Sequence, residues 1–275
     1  MTKIKNVLIV GGTHGNEWTG VYVILKYSDL IRKEFPTLNI NFEIGNQEAF
    51  SMSRRFKDFD LNRIFNTEHE KSNYTEAIRA RTLRKKIKEL YPCFIIDLHT
   101  TTSNMGRCLI ITEENDFNYY ILSRLNDIKV IRSQDIQKQL LISQSPFGMI
   151  IEIGPIQQNM IDLDAIKNTL MLIKEILSSI SKEKRPIRQS LTIYREIEEI
   201  HFPKDEAGEI EAAIARNFQG KDFKKIRKAF FPFTKFSGEK IRMTGKENLY
   251  PIFINESSYY PINLAFILCR KTRKI

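Results

Sequence analysis

Four histidines occur in the 275 residues, and two of them stand where chemistry could be assembled: His14, three residues before Glu17 in VLIVGGTHGNEWT, and His99, closing the run FIIDLH. An imidazole and a carboxylate three residues apart on the first turn of a helix lie on one face and can reach one ion. Alone, H-x-x-E more often marks an ordinary capped helix start. With His99 the set becomes two imidazoles and one carboxylate, which is the ligand set of a catalytic zinc with a fourth position left for water. Asp97, two residues before His99, either orients a ligand from behind or forms a strand-end salt bridge. His69, in an acidic polar stretch, and His201 read as solvated or hydrogen-bonded side chains.

The elements that must position these residues follow from hydrophobic spacing. Val7 to Val10 read as a buried strand, and Gly11-Gly12 lets the backbone turn sharply at its end. Glu17 to Phe35 has the spacing of an amphipathic helix with Val21, Ile24, Leu25 and Ile31 inward, ending before Pro36, and Leu38 to Ile44 alternates like a strand. Gly45 to Phe65 is a long polar loop rich in Arg and Asp, yet Phe56, Phe59, Leu61, Ile64 and Phe65 give it anchors that a disordered segment rarely keeps. Asn73 to Leu90 reads as a helix with Ile78, Leu83, Ile87 and Leu90 inward, and the strand after it delivers His99. Open α/β sheets form sites at the carboxyl ends of strands, so His14 and His99 can converge. Glu152 interrupts the apolar run MIIEIGP at 149–155 and must be paired or lie close to the cleft, because burying its charge alone is prohibitive.

Ile161 to Ile180, with Leu163, Ile166, Leu170, Ile173 and Leu177, predicts a helix packed on the sheet, and Ser178 to Ser190 reads as a linker. Beyond it Leu191 to Ile200, Phe230 to Phe236, Lys240 to Met243 and Tyr250 to Ile254 read as short strands of a small β-rich domain. The fold expected is α/β: a mixed-sheet domain over 1–185, then a β-rich C-terminal domain over 190–275.

Composition narrows the class. The chain is 42% hydrophobic, enough for a sizeable core, and no apolar run approaches the roughly 20 residues that span a bilayer, so a cytoplasmic protein without a membrane partner is expected. Cys93, Cys108 and Cys269 show no C-x-x-C spacing and read as reduced core residues. The net charge of +10 is spread over helix faces (Arg79, Arg81, Arg84, Lys85, Lys86, Lys88) and the tail (Arg270, Lys271, Arg273, Lys274) with no nucleic-acid motif among them. It therefore reads as a solvated surface whose field favours anionic substrates rather than as a nucleic-acid interface.

Five collinear stretches carry a resemblance: GGTHGNE at 11–17, DLNRIF at 60–65, DLHTTTSNMG at 97–106, IEIGP at 151–155 and YPIFINESSYY at 250–260, with FPKDEAGEI at 202–210 in order between the last two. In these the chain resembles the aspartoacylase and succinylglutamate desuccinylase family of zinc hydrolases. The resemblance implies a zinc carboxypeptidase-like domain, a β-rich domain narrowing its cleft, and hydrolysis of a small-molecule N-acyl amino acid with one zinc per chain. It implies His14, Glu17 and His99 as metal ligands, Glu152 as the catalytic carboxylate, Arg55 polarising the scissile carbonyl, Asn62 and Arg63 holding substrate, and Tyr259 reaching in from the second domain.

The roles are chemically coherent, since zinc lowers the pKa of water to about 7, a carboxylate can carry the remaining proton, and guanidinium binds carboxylates bidentately. Three positions depart from the pattern: Ile142 stands where an arginine for the substrate's carboxylate is expected, with Lys138 and Gln139 nearby, Thr100 replaces an asparagine, and Ile262 a lysine. N-acetyl-L-aspartate is thus the leading substrate, N-acetylated aromatic residues or succinylglutamate the alternative, and an anion- or nucleic-acid-binding protein with a vestigial metal site a third reading. Assembly into a homo-oligomer is left open.

Overall fold

The first strand, β1 (Asn6–Gly11), has Val7 to Val10 fully buried, because it has a strand on each edge and packing on each face. After it come α1 (Trp18–Glu34), β2 (Asn39–Ile44), α2 (Gln47–Ser51), α3 (Thr75–Glu89), β3 (Cys93–Thr100), β4 (Gly106–Ile111) and α4 (Asp116–Leu122). The chain continues through β5 (Lys129–Arg132), β6 (Phe147–Gly154), α5 (Leu163–Ser181) and β7 (Leu191–His201). It ends with β8 (Ala212–Ile214), β9 (Ala229–Lys235), β10 (Lys240–Thr244), β11 (Leu249–Ile252) and β12 (Leu264–Lys274). The computed structural model describes residues 4–182, 190–245 and 247–274.

Among these residues a nine-stranded mixed sheet runs β11-β12-β7-β5-β4-β6-β3-β1-β2, and β10-β9-β8 form a small antiparallel sheet. The mixed α/β core with a smaller β-rich C-terminal part agrees with the expectation, with one addition: β7, β11 and β12 extend the main sheet rather than standing apart. Alternation splits the sheet into two faces. Val7, Ile9, Ile96, Leu109 and Ile151 pack against α1, α4 and α5, while Leu8, Ile95, Cys108, Ile110, Ile150 and Tyr194 face α3 and the loop residues Leu61, Ile64 and Phe65. The second face carries the candidate site.

Several details correct the sequence reading. Ile78 is 50% exposed, Leu163 68% and Leu25 55%, so helix faces inferred from spacing alone were drawn one position too wide. Helix α5 runs through Ser178 to Ser181, and 183–189 of the expected linker lie outside the described residues. Arg270, Lys271 and Arg273 belong to β12 and are exposed on it, which suits a solvated face. The three cysteines are free and buried.

The Arg- and Asp-rich loop is ordered from a distance. Glu76, on the first turn of α3, is fully buried and accepts from Asn46 Nδ2 (2.8 Å) and from the backbone N–H of Lys57, Asp58 and Phe59 (2.7, 3.2 and 3.3 Å). A single carboxylate thus satisfies three loop donors that would otherwise need water.

A second buried carboxylate is poorly satisfied. Asp222 accepts the Ile254 N–H at Oδ1 (3.0 Å), while Oδ2 meets no donor among the described residues. Burial pushes its pKa up to about 6. The folded state therefore binds this proton more tightly than the unfolded chain, so the stability it contributes is fully present below about pH 4 and is lost as pH rises through 6. Asp222→Asn, which keeps an acceptor for Ile254, should raise Tm at pH 8 and give no gain near pH 4, as thermal unfolding at the two pH values would show. A gain of up to about 3 kcal/mol corresponds to two pKa units.

Candidate metal and substrate site

His14 and Glu17 lie in the turn that follows β1, and Glu17 stands just before α1 with no side-chain bond to the helix end; the expected placement on the helix's first turn is corrected accordingly. The turn is closely packed. A Cβ on Gly15 would stand 2.2 Å from backbone atoms of Ala49 and Phe50, and the Gly15 N–H donates to Arg55 O (3.0 Å). Gly15→Ala should therefore displace the turn and lower stability by about 1–3 kcal/mol, measurable by denaturant unfolding, with activity falling alongside.

His99, next to last in β3, lies beside Glu152 on β6; the register pairs them directly, so both side chains project from the same face. Glu17 sits between the two imidazoles: His14 Nδ1 is 2.7 Å from its Oε1 and His99 Nδ1 2.9 Å from its Oε2, and the Thr100 N–H donates to Oε2 (3.0 Å). The far nitrogens are also engaged. His14 Nε2 is 3.1 Å from Asp60 Oδ1, and His99 Nε2 is 2.8 Å from Asp97 Oδ2, which is held in turn by the Thr13 hydroxyl on Oδ1 (2.6 Å). Asp97 thus orients the ring and forms the strand-end ion pair at once, so both readings of it hold.

The donor set fits a divalent cation. One ligand atom from each of His14, Glu17 and His99 lies within 4.8 Å of the others, all three side chains are buried, and carboxylates behind both rings fix the nitrogens that do not face the centre. A carboxylate facing every ring nitrogen calls for positive charge between the rings and Glu17, which a cation supplies. Electrostatics agree: burial opposes charge on His99, yet Asp97 and Glu17 hold its pKa well above the ordinary imidazole range, and the two histidines hold Glu17 well below the carboxylate range against its own burial.

A cavity of ≈ 280 Å³ opens from these residues. Arg55, Asn62, Arg63, Glu152 and Tyr259 line it, so the metal, catalytic and substrate residues implied by the resemblance meet in one place. Arg55 donates from Nε and Nη2 to Asp60 Oδ2 (3.1 and 3.0 Å), with Nη1 3.5 Å from Glu17. Asn62 accepts the Leu141 N–H at Oδ1 (2.9 Å), and Arg63 donates to Asn62 O (2.7 Å). Burial raises the pKa of Glu152 well above the carboxylate range; His99 and Arg55 pull it down while Glu17 and Glu256 push it up.

Two positioning residues have no place in the sequence reading. Asp60 joins His14, Arg55 and the Asn62 N–H (2.8 Å) in one carboxylate. Glu256 accepts from the Thr101 hydroxyl, the Thr102 N–H (2.7 Å) and the Ser258 N–H (3.0 Å), and so fastens the turn bearing Tyr259 to the strand end beyond His99. Both stand inside quoted motifs, DLNRIF and INESSYY, and position in the motif was the only signal for them. Ile142 is 1% exposed, sits in the core and does not line the cavity; Lys138 pairs with Glu113 (3.3 Å), and Ile262 lines the cavity as an apolar group.

Residues 3–180 match the model of the succinylglutamate desuccinylase/aspartoacylase catalytic domain, and 189–271 that of the AstE/AspA barrel-sandwich hybrid domain. A probable aspartoacylase of Trichodesmium erythraeum is 31% identical over 98% of both chains. The human N-acyl-aromatic-L-amino acid amidohydrolase (carboxylate-forming) is 29% identical over 98% of this chain and 91% of its own. The crystal structure of murine aminoacylase 3 superposes with a TM-score of 0.87 at 28% identity, covering 100% of this chain and 97% of that one. The chain belongs to the succinylglutamate desuccinylase/aspartoacylase family of amide hydrolases.

Proposed function

We propose that this protein hydrolyses N-acyl-L-amino acids with a zinc ion held by His14, Glu17 and His99. The observation that carries the reading is the convergence of that ligand set, Glu152, Arg55 and Arg63 on one cavity. When bound, zinc supplies Lewis acidity to the scissile carbonyl and to water. Glu152, buried beside His99, takes as its carboxylate the proton of the attacking water and returns it to the leaving amine. Arg55, anchored by Asp60, offers its guanidinium to the developing oxyanion without having to reorganise. Arg63 has no carboxylate in ion-pair distance among the described residues and takes the α-carboxylate of the substrate, with Asn62 beside it; Tyr259 closes the cavity above them.

Arg55 is committed to Asp60 and Glu17, which leaves Arg63 as the one guanidinium among the described residues lining the cavity that is free for a substrate carboxylate. That favours substrates with one carboxylate. The name of the Trichodesmium relative favours a second reading, N-acetyl-L-aspartate, whose second carboxylate would need a cation that neither Ile142 nor Lys138 provides. Steady-state assays of metal-loaded protein on a panel of N-acetyl amino acids, with and without a chelator, test both. Chelator-sensitive turnover of neutral members with N-acetyl-L-aspartate at least about tenfold poorer is expected, the loss corresponding to one unpaired buried charge. Preferred turnover of the aspartate derivative would restore the second reading, and absence of turnover on all members would remove the deacylase.

A further inference from the structure

The cavity does not end at Glu152. The register carries one face of the sheet from His99 and Glu152 to Cys108 and Ile110 on β4, Ile131 on β5 and Tyr194 and Glu196 on β7. Ile150 and Ile110 line the floor, and Glu196 lines the wall at the far end, three strands from Glu152. The Glu196 carboxylate is built in. Its Oε2 accepts from the Ser133 hydroxyl (2.7 Å) and the Gln134 N–H (3.2 Å), while Oε1 meets no donor and neither oxygen meets a cation in ion-pair distance among the described residues. Burial pushes its pKa up against the Ser133 and Gln134 bonds and the charge of Arg63, with Glu199 adding to the rise. Asp135 and Glu199 line the same end. An apolar floor leading to an unpaired carboxylate matches a side chain that is a methylene stem with a cationic head.

We infer that Glu196 is the specificity-determining residue of a side-chain subsite that takes N-acyl amino acids with a long cationic side chain, an amine or a guanidine, and turns away acidic ones. The inference rests on the deacylase reading and adds the side chain to it. The carboxylate of aspartate would be too short to reach Glu196 and of the wrong sign if it did, whereas a lysine-length side chain on a substrate held at Arg63 extends over the apolar floor towards Glu196. Hydrogen bonds to a charged partner distinguish a lysine derivative from an apolar isostere of the same length by about tenfold or more.

The experiment compares kcat and KM of the metal-loaded parent and Glu196→Gln on Nα-acetyl-L-lysine, N-acetyl-L-norleucine and N-acetyl-L-aspartate. Glutamine keeps an acceptor for Ser133 and Gln134. The parent should prefer the lysine over the norleucine derivative by about tenfold or more, chiefly through KM, and the ratio should collapse towards one in the variant while aspartate gains relative to norleucine. Turnover of norleucine without a lysine preference in the parent, or a preference that survives in Glu196→Gln, overturns the subsite and leaves the deacylase standing. No turnover of any of the three by the parent overturns both.

Discussion

Glu152→Gln should lower kcat by about 10²–10⁴-fold on any N-acyl amino acid the parent hydrolyses, with bound zinc unchanged and Tm at pH 7 equal to or above that of the parent. The first part follows from role: glutamine fills the same space on β6 beside His99 and has no proton affinity with which to relay between water and the leaving amine. The second follows from position. Glu152 is not one of the clustered ligand residues, so its loss leaves His14, Glu17 and His99 in place. The third follows from sign. Burial raises the pKa of Glu152, which means the metal-free folded state resists its charge, and a neutral isostere removes that penalty when Tm is read on the chelated protein. Steady-state kinetics, metal analysis and thermal unfolding of one preparation check all three. A variant within tenfold of the parent would show that the proton is carried by another group, and a variant that loses zinc would show that Glu152 belongs with the ligands.

What the sequence discloses and what it conceals divide along a physical line. His14, Glu17, His99 and Glu152 sit at strand ends or interrupt apolar strands, and a polar residue in such a place is conspicuous because its burial must be justified. Strands β1, β3, β6 and β7 were likewise visible as apolar or alternating runs. Strand β12 escaped notice because Arg270, Lys271 and Arg273 in its second half are charged and exposed, and α4 and β5 because they are short. The joining of β7, β11 and β12 to the main sheet depends on pairings 63 positions apart between β5 and β7 and 63 to 83 apart between β7 and β12, which local periodicity does not encode. The same holds for Glu76, Asp60 and Glu256, whose importance lies in what they touch and not in their type.

Asp60→Ala is the substitution by which that hidden layer can be measured, and its effect should exceed that of removing either partner. One carboxylate, 18% exposed, faces His14 Nε2, receives two guanidinium bonds from Arg55 and caps the turn at Asn62. Both histidine and arginine hold its pKa well below the carboxylate range despite burial, so it is ionised wherever the protein is active and the alanine variant leaves a buried guanidinium without its partner. Zinc affinity should fall about 10–100-fold because the ring of His14 loses its orientation, and kcat/KM should fall further because Arg55 is released at the same time. In a double-mutant cycle with Arg55→Ala the two losses should be strongly non-additive, since Arg55 without Asp60 is already misplaced. Additive losses would mean that Arg55 is positioned by Glu17 alone, at the longer 3.5 Å contact, and that Asp60 serves only the histidine.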